Sequence, residues 1–187
     1  MRRGILTVFM LLCFTLLLAA SGHSEEVYYA RCNLKVVKGT ISWVNWQHTN
    51  EWIPVGTELK VTYKDGDEAT FEDAKSGKRY SVELGAKGQQ YLEKFVTRKK
   101  PATGNIHKDA RDGISKGIIK VGMNKAEAYI AMGPPANVDR TNSDKMTYDD
   151  IIKGSLWVYK RSRFGKNIGV EFGDDGIVKR TEGIWVR

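Results

Sequence analysis

From position 27 to about 84, apolar and polar residues alternate with a period of two, and glycine-bearing turns interrupt the alternation at short intervals. That pattern predicts short β-strands with one face for a core and one for water. Leu59, Val61 and Tyr63 alternate with Lys60 and Thr62, and Tyr80, Val82 and Leu84 alternate with Arg79, Ser81 and Glu83. Lys64-Asp65-Gly66-Asp67 and Lys75-Ser76-Gly77-Lys78 supply turns, because glycine reaches positive φ without a Cβ clash. Strands this few and this short cannot build two packed sheets, so the expectation for residues 25–96 is a small closed barrel, which removes sheet edges. Leu92 and Phe95, three apart, predict a turn or two of helix closing it. Arg98-Lys99-Lys100-Pro101 then reads as a linker over 97–105.

Beyond the linker the period becomes helical, first in a polar segment at 107–116 and then in a sharply bounded one. Asn124 with Glu127 three residues later forms a capping-box signature, and Gly133-Pro134-Pro135 stops the helix. Met123, Ala126, Tyr129, Ile130 and Gly133 are expected on its inward side, with Lys125 and Ala128 facing elsewhere. Positions 156–160, 168–172 and 177–186 read as three antiparallel strands, the last two joined by Asp174-Asp175-Gly176. Trp157, Tyr159 and Trp185 are expected beneath the helices. Positions 136–154 carry no clear period, and Tyr148-Asp149-Asp150-Ile151-Ile152 reads either as a helical turn or as a docking loop. The expected fold class is α+β: a β-barrel at 25–96, then two helices on one face of a three-stranded antiparallel sheet at 106–187.

Two resemblances follow from these segments. Ile53-Pro54-Val55-Gly56-Thr57-Glu58-Leu59-Lys60-Val61 resembles the entry to a strand in bacterial SH3-like domains. Val121-Gly122-Met123-Asn124-Lys125, Gly133-Pro134-Pro135, Trp157-Val158-Tyr159, Val170-Glu171-Phe172 and Gly176-Ile177-Val178 occur in the order and spacing of the BamE (SmpA/OmlA) family. That second resemblance covers about residues 113–187. It implies a two-helix, three-stranded fold and a bacterial envelope protein, in a family whose best known member is an accessory lipoprotein of the outer-membrane β-barrel assembly machine. The chain departs from that member in the β-rich segment ahead of the resembling region and in lacking a lipid-attachment cysteine in a suitable context.

The N-terminus reads as an export signal over 1–24. Arg2 and Arg3 precede an apolar stretch at 5–18, and Ala19-Ala20-Ser21-Gly22 offers the small side chains of a cleavage site. The apolar stretch is shorter than the roughly 20 residues of a membrane span, although Ala19 and Ala20 extend it if it stays uncleaved as an anchor. Leu11 and Leu12 ahead of Cys13 do not suit lipid attachment. Cleavage leaves Cys32 alone, so the mature chain makes no internal disulfide. The whole chain carries a formal charge of +8, reduced when Arg2 and Arg3 leave with the signal, which favours anionic partners without defining one.

Catalytic chemistry has little to work with. Cys32, His48 and His107 show no spacing suited to a nucleophile and base, and no cysteine pair or His-x-x-x-His offers a metal site. Gly165-Lys166-Asn167 lacks a phosphate-cradling loop, and no nucleic-acid-binding motif is present. No catalytic, metal or cofactor residue is assigned.

Two surface candidates remain. Lys160, Arg161, Arg163 and Lys166 surround Phe164 in a turn between strands, which reads either as a solvated hairpin or as a contact for anionic lipid or an acidic protein surface. Trp43, Trp46 and Trp52 read either as core or as the wall of a ligand groove. Taken with the resemblance, these features predict a non-enzymatic periplasmic interaction or scaffold component with an envelope protein or outer-membrane partner. A periplasmic module binding a peptide or cell-wall fragment, and a proteinaceous enzyme inhibitor, are the alternatives. Mass spectrometry of the exported chain is expected to find an N-terminus between Ser21 and Ser24; an intact leader would identify the anchored form.

Overall fold

A computed structural model describes residues 26–41, 51–64, 67–84, 88–104, 106–160 and 166–183. The export signal at 1–24, Asp65, Gly66, His48 and Trp185 lie outside the described residues.

The first half forms strands β1 (Glu26–Ala30), β2 (Leu34–Val37), β3 (Thr40–Ile41), β4 (Trp52–Ile53), β5 (Glu58–Lys64), β6 (Glu68–Asp73), β7 (Arg79–Glu83) and β8 (Val96–Thr97). They make one eight-stranded sheet in the order β4-β2-β3-β7-β6-β5-β1-β8. The alternation read from the sequence sets its inner face: Val61 lies opposite Phe71, Phe71 opposite Tyr80, and Ala69 opposite Val82, all buried. Asp73 tightens the β6–β7 turn by accepting hydrogen bonds from the N–H groups of Lys75 and Ser76. Between β7 and β8 a single helical turn, α1 (Gln89–Leu92), inserts Leu92 and is followed by Phe95, both buried.

The second half contains α2 (Lys108–Lys116), α3 (Lys125–Met132) and α4 (Tyr148–Lys153). Its strands are β9 (Asn137–Val138), β10 (Thr141–Asn142), β11 (Leu156–Tyr159), β12 (Ile168–Phe172) and β13 (Val178–Glu182). These form a five-stranded antiparallel sheet in the order β10-β9-β11-β12-β13. The capping box is present as the spacing predicts, with the Glu127 N–H donating to Asn124 Oδ1 and the Asn124 N–H to Glu127 Oε2. Glu127 Oε1 also faces the N–H and ring Nδ1 of His107, the residue that begins α2, so one carboxylate serves two helix starts.

This architecture corrects the expected α+β class. The protein is mostly β: thirteen strands lie among the described residues, and the four α-helices are short. The SH3-like closed barrel is replaced by a curled eight-stranded sheet whose order ends at β4 and β8, with no ladder joining those ends among the described residues. The BamE-like two helices on a three-stranded sheet are replaced by a five-stranded sheet, because the aperiodic stretch at 136–154 contributes the β9–β10 hairpin. Two-residue strands exist only by virtue of their partners, so they leave no periodic trace.

The inward face of α3 is also corrected. Ala128, Tyr129, Ala131 and Met132 are buried, whereas Ala126 is exposed and Ile130 only half-buried. The helix is wedged between the two sheets and has no single inward side. Tyr129 meets Trp157 of β11 edge-on at 5.9 Å, and Gly133 lies against Cys32 and Asn33 in the crossing from β1 to β2. Trp157 and Tyr159 are fully buried, as expected, with the Trp157 indole N–H donating to Ile151 O at 3.0 Å. One continuous hydrophobic cluster runs from Tyr28 through α3 to Val178.

Asn33 ties the halves together. Its side-chain amide donates to Ile114 O at 2.7 Å and Ala131 O at 3.2 Å, carbonyls in the last turns of α2 and α3. Its own N–H donates to Ile130 O at 2.9 Å, and its Oδ1 accepts from Val55 N–H at 3.1 Å. Replacing Asn33 with Ala strands a buried donor and removes two bonds to helix ends, so Asn33→Ala is expected to cost about 3 kcal/mol in urea denaturation. Asn33→Asp turns the donors toward two carbonyls into acceptors and is expected to cost more; wild-type stability in that variant would overturn the assigned role.

Candidate functional site

The chain leaving β8 does not fold directly onto α3. Residues 98–104 pass over the helix and leave a groove of about 340 Å³ between them. Pro101 and Ala102 line one wall, and Ala126 and Ile130 of α3 line the other. Tyr129 and Tyr148 line the groove as well, and its cations are Arg31, Lys99 and Lys100, with the Thr97 hydroxyl nearby. Among the described residues no carboxylate lines it.

Arg31 is the innermost charge. It immediately follows β1, its guanidinium carbon lies 4.1 Å from the centre of the Tyr148 ring, and its Nε is enclosed without a hydrogen-bond partner among the described residues. A cation over an aromatic face is stabilised by the ring quadrupole, and the Tyr148 side chain also hydrogen-bonds the guanidinium, but Nε gains nothing from that contact. Burial raises the Tyr148 hydroxyl pKa, and the neighbouring Arg31 charge opposes the shift. Tyr148 in turn meets Tyr129 edge-on at 4.9 Å, with ring planes at 89°. An aromatic series therefore leads from Arg31 through Tyr148, Tyr129 and Trp157 to Phe172. It holds the groove against the second core.

No protein-family model, curated protein or solved structure matches the chain. Its site is therefore read from geometry and chemistry alone.

Behind the groove, Lys94 bridges the halves. The side chain is buried and donates to Ser143 O and Asp144 O, each at 3.3 Å, while its own carbonyl accepts the Tyr129 hydroxyl at 2.9 Å. Tyr91 adds a bond from its hydroxyl to Lys145 O at 3.0 Å. Burial pulls the Lys94 ammonium pKa down to about 8, with the Asp144 charge opposing the shift.

The residues singled out from sequence are placed differently. Trp52 is half-buried on β4, and Lys35, its pairing partner on β2, sets its Nζ 4.3 Å from the ring centre, so that ring already has a cation on one face. Trp43 and Trp46 lie outside the described residues. Lys160 and Lys166 are exposed at the two ends of the β11–β12 connection, whereas Arg161, Arg163 and Phe164 lie outside the described residues. Cys32 is fully enclosed, and burial raises its thiol pKa, which suppresses the reactive thiolate. His107 is exposed and engaged with Glu127. Among the described residues no three His, Cys, Asp or Glu side chains group as metal ligands.

The groove was not legible as a site. Lys99-Lys100-Pro101 was visible as a charged, proline-stopped run, but it read as a linker; Arg31 and Tyr148 stand far from it in sequence and became neighbours only through the fold.

Lys94 makes a pH signature. Its folded pKa, about 8, lies below its ordinary 10.5, so the unfolded chain holds more protons between those values. Stability is expected to rise with pH across that window, and the contribution is already at its minimum below it. Lys35, drawn down to about 8 by burial, acts with the same sign. Urea titrations should show a shallower rise in Lys94→Met; an unchanged slope would contradict the assigned shift.

Proposed function

We propose that this chain works outside the cytoplasm as a non-enzymatic interaction component, and that the groove between the 98–104 segment and α3 is the surface that meets its partner. The observation that carries this reading is the wall chemistry: Arg31, Lys99 and Lys100 line it together, with no carboxylate among the described lining residues. Such a wall attracts an anion, and its tyrosines and alkyl groups add contact area once the anion has arrived.

Two further features support binding over catalysis. Cys32, the thiol of the described chain, is enclosed beneath α3, and the exposed His107 is engaged in helix capping. The groove walls are also fastened from behind by Lys94, Tyr129 and Tyr91, which favours a preformed seat over one assembled on contact.

Site-specific photo-crosslinking in cells is the direct test. A crosslinking residue at the exposed groove positions 99 or 102 is expected to give the same partner adduct, with none from the exposed turn position 75. Adducts formed only from 166 would move the contact to the basic β11–β12 connection, and equal adducts from every position would sink the groove as the working surface.

A further inference from the structure

Several cations outside the groove are ion-paired. Arg98 pairs with Glu26 at 2.8 Å, Arg79 with Glu72 at 2.6 Å, Lys120 and Lys116 with Asp112, and Arg180 with Glu171 at 3.1 Å. Arg31, Lys99 and Lys100 have no acidic partner among the described residues. Three cations without an acidic partner among the described residues line one concavity, which favours an anionic ligand.

Shape narrows the class. A flat bilayer meets convex or planar surfaces, whereas here the guanidinium of Arg31 lies inside a groove between an extended segment and a helix. Lipid head groups held in a membrane plane would meet Lys99 and Lys100 at the exposed rim and leave Arg31 uncontacted. A free polypeptide segment can enter. The volume, about 340 Å³, sits at the low end of ligand sites and accommodates a few side chains, not a folded domain.

Chemistry narrows it again. The Arg31 guanidinium, held 4.1 Å from the Tyr148 ring centre, is a planar group whose paired N–H donors match a carboxylate. Ala126 is exposed and Ile130 half-buried on the facing helix, an apolar wall beside the charge with room for an aliphatic or aromatic side chain.

We propose that the groove binds an extended acidic segment of a partner polypeptide, with one carboxylate forked on Arg31, others near Lys99 and Lys100, and an apolar side chain against Ala126 and Ile130. This rests on the groove being the interaction surface and adds the chemistry of what enters it.

The test uses the full exported chain and fluorescence anisotropy of a short labelled peptide alternating glutamate and leucine. A matched peptide with glutamine for glutamate, phosphatidylglycerol vesicles and inorganic phosphate serve as the other arms. Saturable, salt-sensitive binding of the glutamate peptide is expected, about tenfold or more tighter than the glutamine peptide. Ala126→Trp fills the groove without changing charge and sits on an exposed helix position, so it should abolish binding while the melting temperature stays unchanged. Arg31→Lys keeps the charge but loses the fork and should weaken binding about tenfold.

Equal affinity for the two peptides, or undiminished binding by Ala126→Trp, overturns the proposal. Binding of vesicles or phosphate in place of the peptide also overturns it, but leaves the interaction reading intact if crosslinks still form at 99 and 102. Silence in every arm together with absent crosslinks overturns both.

Discussion

The structure depends on a buried asparagine more than on either sheet. Helix ends leave carbonyls without intrahelical partners, and two such ends meet here inside the protein, away from water. Asn33 serves both through its amide and uses its remaining acceptor on Val55. An apolar side chain of similar size would fill the space and leave the polar groups unsatisfied. The bend after β1 that brings Asn33 to this position also buries Cys32 and sets Arg31 facing Tyr148. The same three-residue crossing thus bonds the last turns of two helices, closes the core and supplies the innermost charge of the groove.

Around that crossing the two halves lock by polar contacts placed inside an apolar seam. Lys94 reaches two carbonyls at the start of the second sheet's accessory turn, Tyr129 returns a bond to the Lys94 carbonyl, and Tyr159 donates to Gly133 O at 3.0 Å. Gly133 has φ of 74° and would bring a Cβ to 3.2 Å from Cys32 Sγ, so glycine is required there for both conformation and approach. A ligand site at such a seam has walls drawn from both halves. Its shape therefore follows the packing of the seam and not the flexibility of the 98–104 segment.

Parts of this arrangement were legible because their causes are local. The capped helix from Asn124 to Gly133 follows from a side chain bonding a backbone three residues away, and β5, β6 and β7 follow from alternation against one core. Ala126 and Ala128 were assigned to the wrong sides because periodicity assumes a single buried stripe, and α3 is enclosed by packing on both sides with Ala126 left open. The α+β expectation failed for a related reason. Strands β4, β8, β9 and β10 are two residues long and are specified by the strands they join.

The amino-acid sequence by itself determined the excess of basic residues, the leader-like N-terminus, the principal strands and the capped helix, since each arises from neighbours along the chain or from counting. Only the tertiary structure decided that Asn33 bonds the last turns of two helices, that Lys94 spans the seam and that Arg31 faces the same groove as Lys99 and Lys100. Those relations join residues tens of positions apart, and hydrogen bonds and charge convergence depend on distance in space, which no local pattern encodes.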